Sequence, residues 1–366
     1  MEIAARLFPR QQALVRWERR INQTGQAEPA LLNKLGVILK TLSWNQARQV
    51  QQLSSSFNRS WEQLMSSHGR LGLAETLKRS AVLYRATLSE LAAILVPKEL
   101  RGKMAIGIFG STARGELVPQ SDCDFAFILG ASLTPAETEK LKTVQKQMND
   151  VAFAFGLPLE GASGVFYPDW RSTPLKSARP MQANASLDLL FLAGAKKVYD
   201  EFQALRLKNI FAERGQHLTE LFDKLAALPA GTADLKIALR HISFFKHAAS
   251  LRLQRKFEST HDALIALRGA GLLSGTEYRQ LLAVLDRLLL LRLTLTQPDE
   301  TLPSPERIIQ YLGGIAAERN PIREAENNVL LGLNDKSTNT GTDLIIDQIK
   351  QNVVFLKALA GRLANL

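Results

Sequence analysis

The sequence predicts an α+β protein in which helices at both ends flank a small mixed sheet. Three observations lead there. Apolar residues recur at helical spacing through the first hundred positions, short apolar runs separated by turns replace them between Met104 and Leu192, and helical spacing returns from about residue 200. The expected divisions are a helical N-terminal region at 1–98, a mixed-sheet domain at 99–200 and a C-terminal helical bundle at 201–366.

The N-terminal region carries two clear stripes. Val50, Leu53, Phe57, Trp61 and Leu64 advance in steps of three and four, as do Leu77, Ala81, Tyr84, Leu88, Leu91 and Leu95, and Pro97 ends the second run. Two or three antiparallel helices follow from this, with no chemistry of their own. Met104 to Phe109 and Asp124 to Leu129 read as strands around a glycine-containing turn, Ala136 to Phe155 as a helix, and Gly164 to Tyr167 and Ser186 to Leu192 as further strands. Ser274 and Glu277 have capping-box spacing at the head of a leucine-rich helix that ends near Thr296. Pro298, Pro303 and Pro305 break that helix, and a polar loop from Asn334 to Gly341 precedes one amphipathic helix.

Composition bounds the function. At 366 residues, 46% hydrophobic and 22% charged, the chain has the makeup of a globular protein of two or three domains, which excludes disordered, collagenous and disulfide-scaffold classes. The densest apolar run, Leu288 to Leu291, is bracketed by Arg287 and Arg292, far short of a membrane span. A net charge of +11 favours an anionic partner such as a nucleotide, nucleic acid or acidic protein, although solubility alone would also account for it. One cysteine, Cys123, excludes an intramolecular disulfide. With no secretory pattern after Met1, the expected location is the cytoplasm.

The informative stretch runs from Gly107 to Phe127. Gly110 and Ser111 follow a strand, where a glycine lets the backbone approach a phosphate closely and Ser111 adds a hydroxyl donor. On a strand, residues two apart share a face, so Asp122 and Asp124 point together. Two adjacent anions repel unless a cation lies between them, and hard carboxylate oxygens suit Mg²⁺. On Asp-x-Asp alone, a polar turn with a capping Asp122 and a solvated Asp124 remains open. Lys236 and Arg240, four apart on an expected helix with Lys246 and Arg252, share a face that reads equally as a triphosphate contact or as a solvated basic surface. The five histidines lack zinc-ligand spacing, and Cys123, between two carboxylates, is disfavoured as a nucleophile.

Taken together, the Gly-Ser turn after a strand and Asp-x-Asp at the head of the next resemble the DNA polymerase β-like nucleotidyltransferase superfamily. Arg114 and Glu116 match the Gly-Ser-x-x-Arg-x-Glu form of the branch of signal-transduction nucleotidyltransferases related to PII uridylyltransferase and glutamine synthetase adenylyltransferase. The likeness extends over about 101–366. It departs at Leu190, where members often carry arginine, and in the first hundred residues, which do not resemble the family's usual regulatory modules.

The resemblance implies a third carboxylate from a later strand, and Asp188 fits because it lies among apolar neighbours that would make an unpaired carboxylate costly. Glu160 and Asp169 are weaker rivals in loop-like surroundings. It further implies Mg²⁺ held by Asp122, Asp124 and Asp188; an NTP, ATP or UTP, held by Gly110, Ser111, Arg114, Lys236 and Arg240; and a nucleotide-binding C-terminal domain. The expected reaction moves an NMP group to a hydroxyl acceptor, expected on a protein. Nucleic acid is not favoured, since no aromatic-interleaved basic patch is visible. The alternative is a nucleotide-binding regulatory or scaffold protein with little turnover.

Overall fold

Short strands of β-branched and aromatic residues cannot bury both faces alone, and here four of them pair into one mixed sheet flanked by helices, giving an α+β fold. The computed structural model describes residues 42–66, 73–117, 123–154, 165–167, 180–227, 235–295 and 341–364. Pro298, Pro303, Pro305 and residues 334–340 lie outside them, as do Glu160 and Asp169. Residue contacts divide the chain into two units, Met1–His68 with Glu75–Asn209 and Gly69–Ala74 with Ile210–Leu366. The boundary expected at 98 falls inside the first unit.

The first unit opens with α1 (Trp44–Ser66) and α2 (Leu73–Leu95). A capping box starts α1: the Ser43 N–H donates to Gln46 Oε1 at 3.1 Å, and the Gln46 N–H donates to Ser43 Oγ at 3.3 Å. The Gln46 amide also donates to the Ile94 carbonyl at 3.1 Å, which ties the start of α1 to the end of α2 and makes the pair antiparallel. Both apolar stripes are buried along their whole length. Phe57, Trp61 and Tyr84 meet between them with ring centroids 5.5–6.0 Å apart.

After α3 (Lys98–Arg101) come β1 (Met104–Phe109), α4 (Gly110–Arg114), β2 (Asp124–Leu129), α5 (Pro135–Ala154), β3 (Val165–Tyr167), α6 (Pro180–Asp188), β4 (Leu190–Gly194) and α7 (Lys196–Ala212). The strand order is β3-β2-β1-β4. β1 runs antiparallel to both β2 and β4, while β2 and β3 are parallel. Ala105, Ala126 and Ile128 form one core cluster with Leu189 and with Val198, Tyr199 and Phe202 of α7. At Gly107 a Cβ would stand 2.5 Å from Leu189 Cδ1, so a larger residue there would have to displace that side chain.

One expectation is corrected. Ser186 to Leu192 reads as a strand, yet α6 continues through Asp188 and β4 begins only at Leu190. Pro180 at the first helical position presets the helix, and a short apolar run has no period of its own to contradict it.

The second unit holds α8 (Arg214–Ala226), α9 (Leu235–Arg252), α10 (Thr260–Gly269), α11 (Gly275–Leu295) and α12 (Gly341–Ala364). The capping box of α11 forms as its spacing predicts, with the Ser274 N–H on Glu277 Oε2 at 2.8 Å and the Glu277 N–H on Ser274 Oγ at 3.2 Å. Arg362 of α12 pairs with Glu277 at 2.9 Å, so the two helices are joined at that end. Among the described residues no helix is long and apolar enough to cross a membrane.

Glu137 caps α5 from its first turn and pairs with Lys103, just before β1, at 2.6 Å. The hydrogen bond from Lys103, assisted by the Thr134 N–H, holds its carboxyl down to about 2. A depressed carboxyl stabilises the fold above its unfolded value of about 4.3, and that stability is lost as pH falls through the folded value. Wild-type protein is therefore expected to lose more of its urea midpoint between pH 5 and pH 2 than Glu137→Gln, which lacks this titration. Parallel pH dependences would disprove the contribution.

Candidate functional site

β1 delivers the chain to Gly110, whose φ of +73° lies in the left-handed region that glycine tolerates best. A Cβ at Gly110 would stand 3.1 Å from Asp124 Oδ2, so the Asp124 carboxylate lies against the backbone of this turn. The cause is register. Phe109 pairs with Asp124 across β1 and β2, which puts the first residue of β2 beside the last residue of β1. On the other flank Ile108 pairs with Leu190, so Asp188, two residues earlier, reaches the same end of the sheet. Antiparallel pairing on both sides of β1 thus brings the N-terminal ends of β2 and β4 to the turn that follows β1.

α4 is a single turn, and its last carbonyls need partners. Arg85 of α2 supplies them, donating from Nη1 to the Thr112 carbonyl at 3.2 Å and the Ala113 carbonyl at 3.1 Å. A cation at a helix C-terminus is also favoured by the helix dipole. Gly115, with φ +74°, ends the turn, and the Glu116 N–H returns to the Ser111 carbonyl at 2.9 Å. Thr112 Oγ1 lies 3.2 Å from Cys123 Sγ, both residues buried, which joins α4 to the residue before β2.

Asp188 is only 4% exposed. Its Oδ2 accepts from Arg114 Nη1 at 2.5 Å, and Arg114 Nε donates to Glu116 Oε2 at 2.8 Å. Burial works against the Arg114 charge, but Glu116 and Asp188 outweigh it and keep the guanidinium protonated above its ordinary range. Glu116 Oε1 is buried with no hydrogen-bond partner among the described residues. The backbone around Asp188 is held from α7: Tyr199 Oη donates to the Leu189 carbonyl at 2.8 Å, and the Gln203 amide to the Ser186 carbonyl at 3.0 Å. Arg206 Nε approaches Ser186 Oγ at 3.3 Å, and the spacing 199, 203, 206 puts all three on one helix face.

Of the residues singled out from the sequence, Gly110, Ser111, Arg114, Asp124 and Asp188 therefore meet at one end of the sheet. Asp122 lies outside the described residues. Among those described, no group of three or more His, Cys, Asp or Glu could hold a metal ion. Lys236 and Arg240 belong to α9 in the second unit, where Arg240 is exposed and the Lys236 side chain is not described. Lys246, expected on the same helix, is fully buried, and Arg252 donates to the Leu363 carbonyl at 2.6 Å. Arg85, Tyr199 and Gln203 escape the sequence reading. The i, i+4 spacing on α7 is a signal that could have found the last two, but nothing local marks Arg85.

Residues 48–173 match the model of the family described as "Putative nucleotidyltransferase DUF294". This match supports nucleotidyl transfer in general, and with it a nucleotide substrate. It begins inside α1 and ends before α6, whereas the motif-based likeness places the family over 101–366; α2 and its Arg85 thus fall within the matched segment. None of the curated proteins matches the chain.

Removing Arg85 leaves two carbonyls of α4 without a donor. Arg85→Ala is expected to cost at least about 1.5 kcal/mol, as for a hydrogen bond from a charged group. Arg79→Ala, which breaks only an exposed, solvent-screened pair with Glu75, should cost clearly less. Urea unfolding of both variants measures this, and equal losses would remove the special role of Arg85.

Proposed function

We propose that the protein transfers a nucleotidyl group from ATP or UTP to a hydroxyl on a protein acceptor, with Mg²⁺ as cofactor. The observation that carries this reading is the pair of carboxylates on either side of the Gly110 turn: Asp124 against its backbone, Asp188 beyond it and joined to α4 through Arg114. The family match over residues 48–173 supports the class of reaction. The finer reading, a protein hydroxyl as in the uridylyl- and adenylyltransferases, rests on the Gly-Ser-x-x-Arg-x-Glu pattern from Gly110 to Glu116.

The donor set fits a hard divalent cation. Asp122, Asp124 and Asp188 would supply carboxylate oxygens, and Glu116 Oε1 is a buried acceptor with no donor among the described residues, an excess of negative charge that a cation nearby would relieve. Bound there, Mg²⁺ would neutralise phosphate charge and stabilise the entering and leaving oxygens of an in-line displacement. Gly110, lacking a side chain, would leave room for the phosphates close to the backbone, and Ser111 would donate its hydroxyl to them. Asp188 would orient the acceptor hydroxyl and take its proton. The new bond joins the acceptor oxygen to the α-phosphorus, the bond from the α-phosphorus to the bridging oxygen breaks, and pyrophosphate leaves with that oxygen.

Incubating the full-length chain with α-labelled ATP or UTP, Mg²⁺ and host lysate is expected to label a protein band, and chelation should abolish the labelling. Asp124→Ala and Asp188→Asn should each reduce it by about a hundredfold or more while the thermal midpoint shows the variants folded. Wild-type rates in folded Asp124→Ala would overturn the assignment. Nucleotide binding without any labelled product would favour a nucleotide sensor instead.

A further inference from the structure

We infer that Arg114 is a positioning residue for Asp188, not a contact for the triphosphate, and that Glu116 is the tether that holds Arg114 in place. This rests on the nucleotidyl-transfer reading of the site. The sequence pattern alone points the other way, since an arginine beside a phosphate-binding turn reads as a phosphate ligand.

Three observations carry the inference. The first is charge. Arg114 lies between two carboxylates, 2.5 Å from Asp188 and 2.8 Å from Glu116, so the trio has a net charge of −1 and offers a triphosphate no positive field. The second is shielding. The Arg114 side chain is 13% exposed and that of Glu116 is 12% exposed, so both are largely shielded from solvent. The third is division of labour. Tyr199 and Gln203 pin backbone carbonyls on either side of Asp188, at Leu189 and Ser186. Arg114 instead holds the carboxylate itself, through Nη1 on Oδ2, while its Nε is taken by Glu116. Gly115 turns the chain so that Glu116 can meet the same guanidinium from α4's own end.

Two variants test this on the full-length protein: Arg114→Met and Glu116→Ala. NTP·Mg²⁺ affinity is read by titration calorimetry, turnover by transfer of α-label, and folding by thermal midpoint. A positioning role predicts affinity within about threefold of wild type in both, with turnover down by about a hundredfold in Arg114→Met, the scale of a misplaced catalytic group, and by about tenfold in Glu116→Ala. A phosphate ligand predicts the opposite split. Arg114→Met would lose at least about tenfold in affinity, the size of one charge-assisted contact, and Glu116→Ala, by releasing the arginine, would bind more tightly. Either result overturns the inference, as does unchanged turnover. Should Arg114→Met fail to fold, Glu116→Ala decides the question alone. If wild-type protein transfers no label, the transfer reading fails separately. The positioning claim is then decided by a crystal structure of Glu116→Ala, in which the Asp188 carboxylate should have turned from its present direction; an unmoved Asp188 overturns it.

Discussion

The site depends on one constraint of topology: β1 is paired antiparallel on both sides. Because β2 and β4 both begin where β1 ends, their first residues and the turn after β1 occupy one edge of the sheet. Nothing about Asp124 or Asp188 as residues brings them together, since sixty-odd positions separate them in the chain. Hydrogen-bonded register does so, and it is rigid, because a slip by one residue would exchange the faces of every side chain in the strand. The core cluster under α7 secures that register, with Leu189 filling the space left by Gly107.

Placing carboxylates at a sheet edge has an electrostatic cost, and the structure meets it unevenly. Asp188 is almost fully buried and is given a guanidinium, whereas Asp124 is half-buried and set against a glycine backbone. Breaking a buried ion pair typically costs about 3–5 kcal/mol, because it leaves a charge without compensation. Arg114 and Asp188 are therefore bound to each other by stability as much as by chemistry. Glu116 adds a second anion where one would have balanced the arginine, and one of its oxygens finds no donor among the described residues. That surplus acceptor beside the two aspartates is what counts towards a cation in the reading proposed for the site.

Much of this was legible in the sequence wherever a local pattern decides the structure. Both N-terminal stripes are buried as their spacing predicts, β1 and β2 have the expected bounds, and the Ser274–Glu277 cap forms. Gly110, Ser111 and Asp124 were marked by type and spacing within fifteen residues. The segment around Asp188 was misread because a short apolar run has no periodicity with which to tell the end of a helix from the start of a strand. The partners of Arg114 and Arg85 were not legible. Asp188 is 74 positions from Arg114, and the carbonyls that Arg85 serves are 27 and 28 positions away from it, distances over which only the assembled fold specifies contact. Asp122 lies outside the described residues, so the sharpest element of the motif stands on sequence alone.

The N-terminal helices look, by composition, like an attachment with no chemistry, yet α2 is built into the site from below. Arg85 serves the C-terminal carbonyls of α4, and Ser89, four residues on and so on the same face, donates to the Leu192 carbonyl of β4 at 2.8 Å. One helix face thus grips both the turn that carries Gly110 and Ser111 and the strand that follows Asp188. Polar side chains that reach backbone groups across an interface leave those groups unsatisfied when the partner is removed. Separating α2 from the sheet would take these donors away from three carbonyls at the site's edge. This explains in physical terms why contacts group 75–209 as one unit, and why the family match begins inside α1 and not at the strand that bears the motif. The smallest structure that can hold this site in shape therefore includes α2.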